Sequence, residues 1–251
     1  MSIILNEKSY VEDMLALPSP DNITGKNLWL VARYYHEQGC DKKKIESLLE
    51  QFLLRNDNHV NLIHMQPVID RAVKNAGKKK LLQLNFVPIT YAEMETVDSL
   101  ESVLERKFLF ALIALAKYSN EANDTDTGWV NMSIKDIFQT TGMYAMSKQK
   151  KHALIHSLYE RGLINMSKRI DNMNLQIKCL NYDSDPCVKI YDFRNLGNQY
   201  LWYKGEPFCQ CQVCGLIIKR TARQQKYCPD CSREIHMIQM QKRYHSSLLR
   251  A

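Results

Sequence analysis

The sequence contains no apolar run long enough to cross a bilayer. Its most apolar window, Phe108 to Ala116, is framed by Arg106, Lys107 and Lys117 and falls far short of the roughly 18 uninterrupted apolar residues of a spanning helix. No membrane partner is therefore expected. The opening Met-Ser-Ile-Ile-Leu-Asn-Glu-Lys lacks a basic region, a long apolar core and a small-residue cleavage site, so no export signal is expected either. Also missing are Gly-x4-Gly-Lys-Ser/Thr, Gly-x-Gly-x2-Gly, Gly-x-Ser-x-Gly and His-Glu-x2-His, the patterns that hold a phosphate, a dinucleotide, a nucleophile or a catalytic metal. The histidines are scattered at 36, 59, 64, 152, 156, 236 and 245. Only His152 and His156 share a helix face at ligand-like spacing, and with Glu160 as their one nearby carboxylate they read as surface or core residues. Asp183 and Asp185 sit in a turn-like segment and read as solvated. An enzyme is thus not expected, save as a nuclease or transferase whose site is assembled from distant residues. Internal repeats and low-complexity tracts are missing as well.

What is there is an ordinary soluble globular composition. With 251 residues, 45% hydrophobic and 24% charged, the chain can bury a core as one large domain or two to three small ones. Eight cysteines without an export signal imply a reducing cytosol, where clustered cysteines bind metal more readily than they form disulfides. Cys40, Cys179 and Cys187 stand alone and read as buried or half-buried thiols. The net charge of +7 is uneven: residues 1–200 hold 25 Lys/Arg and 24 Asp/Glu, whereas residues 201–251 hold 9 and 3. A basic tail favours a polyanionic partner, although solubility alone also produces one.

Hydrophobic periodicity predicts a mainly α protein with small β parts. Residues 1–85 read as a small helical domain of four helices. Asp41 caps the third, with Ile45, Leu48, Leu49, Phe52 and Leu53 on one face; Pro67 suits the first turn of the fourth and Gly77 its exit. The run Lys78-Lys79-Lys80 is a solvated charge run or a phosphate contact. Leu81 to Val87 is strand-like, and Thr90 with Glu93 forms a capping box for a new helix.

Residues 86–186 read as a winged helix-turn-helix. A long helix, roughly Leu100 to Tyr118, carries a stripe of Leu104, Phe108, Ala111, Leu112 and Leu115. A short strand at Gly128 to Asn131 follows, then a helix opened by Ser133 and Asp136, a turn at Gly142, and a recognition helix from Ser147 to Arg161. Leu163 to Ile170 and Met173 to Leu180 alternate and pair as a hairpin turning at Asp171-Asn172. In such folds DNA meets the recognition helix and the wing, here Lys148 and Lys151, with Lys150 and His152 beside them, and Lys168 and Arg169. Many winged helices bind proteins instead. Residues 187–207 read as a connector with one strand, Val188 to Tyr191, and a helix through Asn195 to Tyr203.

Residues 208–251 read as a zinc ribbon followed by a basic helix. Cys211-x2-Cys214-x13-Cys228-x2-Cys231 provides two tight two-cysteine turns, the spacing a tetrahedral Zn2+ requires. Gly215 lets backbone N–H groups face the sulfurs and Pro229 stiffens the second turn. Leu216 to Arg220 and Gln225 to Tyr227 are the expected strands between. Four thiolates leave no open coordination position, so one structural Zn2+ per chain is expected, and its binding supplies stability that a segment this short lacks. Cys209 is an alternative to Cys211, though its gap to Cys214 is long for a tight turn. Lys219, Arg220, Arg223 and Lys226 are the candidate phosphate contacts, with a protein-docking module as the alternative. Met237, Met240, Tyr244 and Leu248 stripe the last helix, a pattern of packing or of a homodimer.

Three segments carry a resemblance: Gly128 to Asn131, Asp192 to Leu201, and Cys214 to Thr221 with Gln225 to Cys231. On these, the last 150 or so residues resemble proteins of phages, prophages and other mobile elements of low-GC Gram-positive bacteria. The first 80 residues are more loosely similar to the helical module after the catalytic domain of phage and plasmid primases, whose polymerising domain this sequence lacks. The resemblance implies a phage setting inside the bacterial cytoplasm. The function expected is that of a non-catalytic DNA- or RNA-binding protein in replication or gene control. The alternative is a phage-encoded, anti-CRISPR-like inhibitor of a bacterial defence nucleoprotein.

Overall fold

The computed structural model describes residues 3–17, 23–56, 59–167 and 174–248. The chain divides into two compact units, Ile4–Asn85, and Phe86–Ala251 together with Met1–Ile3. Its secondary structure is mainly α, with short two- and three-stranded sheets.

Ile4–Asn85 is built from α1 (Glu7–Ala16), α2 (Gly25–Glu37), α3 (Lys42–Asn56) and α4 (Leu62–Asn75), closed by a 3-10 turn at Ala76–Lys78. Polar side chains start each helix by accepting orphan backbone N–H groups: Asn6 from Ser9, Thr24 from Asn27, Asp41 from Lys44 and Asn61 from Ile63 and His64. The apolar faces meet in a core of Val11, Leu28, Val31, Ile45, Leu49 and Ile69. The fourth helix differs from expectation. Asn61 starts it five residues early, so Pro67 lies inside it, where it removes one intrahelical hydrogen bond. Of the segment Leu81 to Val87 only Val87 belongs to a strand; Leu81 to Phe86 makes a single bridge, Gln83 to Asn6. Its path is fixed instead by Arg33, buried and ion-paired with Glu7 at 2.9 Å, whose Nε donates to the Lys79 carbonyl at 3.0 Å.

The second unit forms around a central helix. Its elements in order are β1 (Val87–Thr90), α5 (Tyr91–Asp98), α6 (Val103–Asn123), β2 (Trp129–Val130), α7 (Ile134–Thr140), α8 (Lys148–Glu160), β3 (Ile164–Met166), β4 (Leu175–Ile177), β5 (Pro186–Ile190), α9 (Leu196–Tyr203), β6 (Phe208–Gln210), β7 (Ile217–Lys219) and α10 (Pro229–Leu248). Every residue of α6 from Phe108 to Lys117 is buried, so the single stripe expected there is too narrow, and Leu104, assigned to it, is 46% exposed. An all-round apolar helix is the centre of a unit and not a cover on one side. Each of its buried Phe, Leu and Ile side chains contributes about 1.5–3 kcal/mol. The one charged group in that stretch, Lys117, is held by Glu93 at 2.8 Å and donates to the Asn181 carbonyl at 3.0 Å. Glu93 also completes the capping box with Thr90.

Around α6 run β2, α7, α8 and the β3–β4 hairpin, with sheet order β2-β4-β3, antiparallel throughout. Ser133 caps α7 and Ser147 caps α8; Gly142 and Gly162 take positive φ of 75° and 71° at the two exits. The strand and the helix expected in residues 187–207 are present as β5 and α9, and both are built into the unit and do not merely link two parts of it. β5 pairs with β1 from Val87↔Ile190 to Thr90↔Pro186, and α9 packs on α6.

Candidate metal centre

The four expected ligands converge. One ligand atom from each of Cys211, Cys214, Cys228 and Cys231 lies within 4.8 Å of the others. Metal–sulfur bonds of about 2.3 Å in a tetrahedron place sulfurs about 3.8 Å apart, and Cys214 Sγ and Cys228 Sγ are 3.7 Å apart. These cysteines can therefore hold one metal ion with little movement. Cys211, Cys228 and Cys231 are buried, and Leu216, Ile218 and Tyr227 pack against the cluster. Cys209 lies outside it, its Sγ contacting the Gln225 carbonyl at 3.7 Å.

The supports of the two cysteine pairs are unlike each other. Cys211 and Cys214 sit on the turn of the β6–β7 hairpin, whose register runs Phe208↔Lys219, Cys209↔Ile218 and Gln210↔Ile217. Cys211 N–H donates to the Leu216 carbonyl at 2.9 Å and Gly215 N–H to the Cys211 carbonyl at 3.0 Å, with Gly215 at φ 74°. A side chain would strain that backbone. The second pair belongs to a helix: Pro229 is the first residue of α10, where its missing N–H costs nothing, so Cys228 and Cys231 flank the first turn. This corrects the ribbon reading, in which Gln225 to Tyr227 was the partner of Leu216 to Arg220. β7 pairs with β6 instead, and the second pair needs no strand because a helix start supplies N–H groups unaided. Cys231 N–H donates to Cys228 Sγ at 3.4 Å and Cys228 N–H to Cys211 Sγ at 3.3 Å. Burial alone would raise the Cys211 thiol. Backbone N–H groups of Cys214, Cys228 and Val213 outweigh it and bring Cys211 down to about 6. Cys231 is pushed up, first by its contact with the Cys228 sulfur and then by burial. A cation entering the cluster displaces such shared protons.

This centre is docked on its unit. Arg194, ion-paired with Asp192 at 2.6 Å, donates to the Cys214 carbonyl at 2.5 Å, and Asn198 Nδ2 donates to the Ile217 carbonyl at 3.3 Å. The same segment grips the turn between α7 and α8. Gly197 N–H donates to the Thr141 carbonyl at 3.2 Å, and a Cβ on Gly142 would lie 3.0 Å from Asn195 Oδ1. Asn195 itself has φ 52°, a conformation uncommon outside glycine and tolerated best by Asn and Asp. The sequence places Asn195 and Asn198 in a helix, but the docking contacts of Asp192, Arg194, Asn195 and Asn198 are not legible in it. The signal available was the cluster of polar residues Asp192, Arg194, Asn195 and Asn198 at a helix start.

The basic candidates fall in two groups. Lys148 is exposed on the first turn of α8, with Lys150 beside it, whereas Lys151 is half-buried, donates to the Tyr144 carbonyl at 2.9 Å and lies 5.3 Å from the centre of the Phe138 ring. Lys219, Arg220, Arg223 and Lys226 are all exposed along the segment from β7 to α10. Lys168, Arg169 and the turn at 171–172 lie outside the described residues, as do the side chains of Tyr244 and Leu248. Among the described residues no helix is long and apolar enough to cross a membrane. No protein-family profile, curated protein or solved structure matches the chain.

Proposed function

We propose that this chain is a non-catalytic, zinc-stabilised nucleic-acid-binding protein, serving replication or gene control of a phage or other mobile element in the bacterial cytoplasm. The observation that carries the reading is the capped helix α8. It presents Lys148 and Lys150 to solvent on its first turn, after a tight Gly142 turn and with a three-stranded antiparallel sheet behind it. That is how a winged helix meets a DNA groove. Zinc is the metal best suited to a closed shell of four cysteines, and a shell with no open position suits a structural role. The phage setting rests on the sequence segments at 128–131, 192–201 and 214–231.

The exposed cations Lys148, Lys150, Lys219, Arg220, Arg223 and Lys226 supply the phosphate contacts. Six such contacts weaken binding about a thousandfold between 50 and 200 mM salt. Anisotropy titrations on duplex DNA, single-stranded DNA and RNA at those two salt concentrations test this. No binding to any probe at 50 mM salt removes the reading.

The function includes self-association through α10. All side chains from His236 to Arg243 are exposed, among them Met237, Ile238 and Met240 at 60%, 45% and 49%. In proteins most helical stability comes from packing an apolar face, which this stretch of α10 lacks within the chain. Near its start Arg233 pairs with Asp230 and leaves Glu234, and Lys242 and Arg243 stand near its end, so an antiparallel second copy brings Glu234 toward opposite charge.

A further inference from the structure

We propose that the cleft between the α7–α8 turn and the metal-binding hairpin binds single-stranded nucleic acid, with Tyr144 and Tyr191 stacking on unpaired bases. The proposal rests on the nucleic-acid reading and narrows it to a strand type and a place. The cleft has a volume of about 890 Å³, and its lining includes Lys135, Tyr144, Tyr191, Arg194, Asn195 and Gln210.

The chemistry of this lining selects its ligand. Tyr144 and Tyr191 are 68% and 64% exposed, and a flat ring open to water gains most by stacking on another flat ring. One is braced at its ring and the other is anchored at its backbone. Phe86 braces Tyr191 with ring centroids 5.7 Å apart, and the Tyr144 backbone is held by Lys151 through its carbonyl. Two such rings, with cations beside them, form the platform on which successive bases lie while phosphates meet the charges. Lys135 is exposed at the start of α7. Arg194 is more than half exposed, and it neutralises Asp192, the acidic side chain of the cleft. The amides of Asn195 and Gln210 can donate to and accept from base edges. Duplex DNA cannot use the site in this way, because its base faces are already stacked on one another; only splayed bases expose them.

The walls are fixed by the contacts of the α9 start, since Gly197 and Asn195 hold the α7–α8 turn and Arg194 holds the metal hairpin. The backbone segments that bear the two rings are therefore tied together before a strand arrives, which lowers the entropic cost of binding.

The test uses full-length, zinc-loaded protein and fluorescein-labelled mixed-sequence 12-mers as single-stranded DNA, single-stranded RNA and duplex DNA, at 50 mM salt. Tyr144→Ala with Tyr191→Ala is expected to weaken single-strand binding about tenfold or more and to change duplex binding less than twofold. Tyr144→Phe with Tyr191→Phe keeps wild-type affinity, because the ring and not the hydroxyl stacks. The DNA and RNA arms identify which strand the site prefers. Lys135→Glu, a single exposed change, is expected to weaken single-strand binding about fivefold and serves if the double alanine variant fails to fold by circular dichroism. Single-strand binding within twofold of wild type in the folded alanine variant, or in Lys135→Glu if that variant misfolds, overturns the proposal. Wild-type binding to duplex alone overturns it and leaves the parent reading standing. Wild-type protein that binds none of the three probes removes both.

Discussion

Stripping the metal from the purified protein should unfold one part of it and spare the rest. From β6 through α10 the chain is about forty residues, which at the usual 0.05–0.15 kcal/mol per residue would hold about 2–6 kcal/mol if it were an average piece of a domain. It is below average, because the core around the cluster is four cysteines with Leu216, Ile218 and Tyr227. A structural zinc ion contributes about 10–16 kcal/mol at neutral pH, which exceeds anything that packing supplies there. Hydrogen exchange read by mass spectrometry, before and after a strong chelator, should show protection lost across 211–231. Protection in α2 and α6 should be kept, since their cores contain no metal ligand. Peptides over 192–198 should lose part of theirs, because Arg194 and Asn198 hydrogen-bond into the hairpin. Cys214→Ser with Cys228→Ser should reproduce the pattern, and elemental analysis of the wild type should give one zinc per chain. Protein made with zinc available yet containing none, or protection at 211–231 that survives metal removal, refutes the reasoning.

Three further outcomes follow from other parts of the structure. Gly128→Ala should destabilise the second unit by roughly 2 kcal/mol, because φ there is 70° and a Cβ would lie 2.6 Å from the Ile177 carbonyl oxygen; urea denaturation measures it, and an unchanged midpoint argues against the β2–β4 geometry. Burial pushes the Cys179 thiol up to about 11, and burial followed by the Asp98 hydrogen bond pushes the Tyr200 hydroxyl to about 12. Raised folded-state values mean that their contribution is complete below about pH 9 and is lost as pH rises through 11 to 12, so the thermal midpoint should fall over that window, and Cys179→Ala should remove the thiol's share of the fall. Met237→Asp with Met240→Asp should turn a dimer into a monomer in light scattering after size exclusion, with the zinc content unchanged; a monomeric wild type ends the self-association proposal.

Local signals in the sequence translated directly into structure. Thr90, Ser133 and Ser147 cap the helices they precede because a cap needs only its own next three residues. The cysteine spacing was legible for the same reason, as each pair closes its own turn. What failed was the choice of distant partner. Ile217–Lys219 pairs with Phe208–Gln210 and not with 225–227, and no short-range pattern distinguishes the two, since both segments can reach it. A strand over Val188 to Tyr191 is legible in the sequence, but its partner is not, because β1 lies about a hundred residues earlier in the chain. The apolar run in α6 contains a helical stripe, but its density on every side is the mark of a helix surrounded by other elements. Pro67 suits a first turn by its own chemistry, but Asn61 starts the helix before it.

The metal centre looked from sequence like a basic appendage joined by a connector, and its attachment changes what its charge can do. A tethered module samples many positions, and its cations add to those of a second group only through an effective concentration set by the tether. Here the start of α9 holds both neighbours within a few residues: Gly197 and Asn195 against the turn at Thr141–Gly142, Arg194 and Asn198 against the hairpin. Those contacts also leave little room, because a Cβ on Gly197 would lie 2.8 Å from the Thr141 carbonyl oxygen. A ligand that spans Lys148 on α8 and the cations after β7 therefore meets them without the ordering cost that a flexible joint would impose. A metal ion held by the four cysteines would, by bracing the hairpin that Arg194 grips, also fix where the cations of β7 and the segment after it stand.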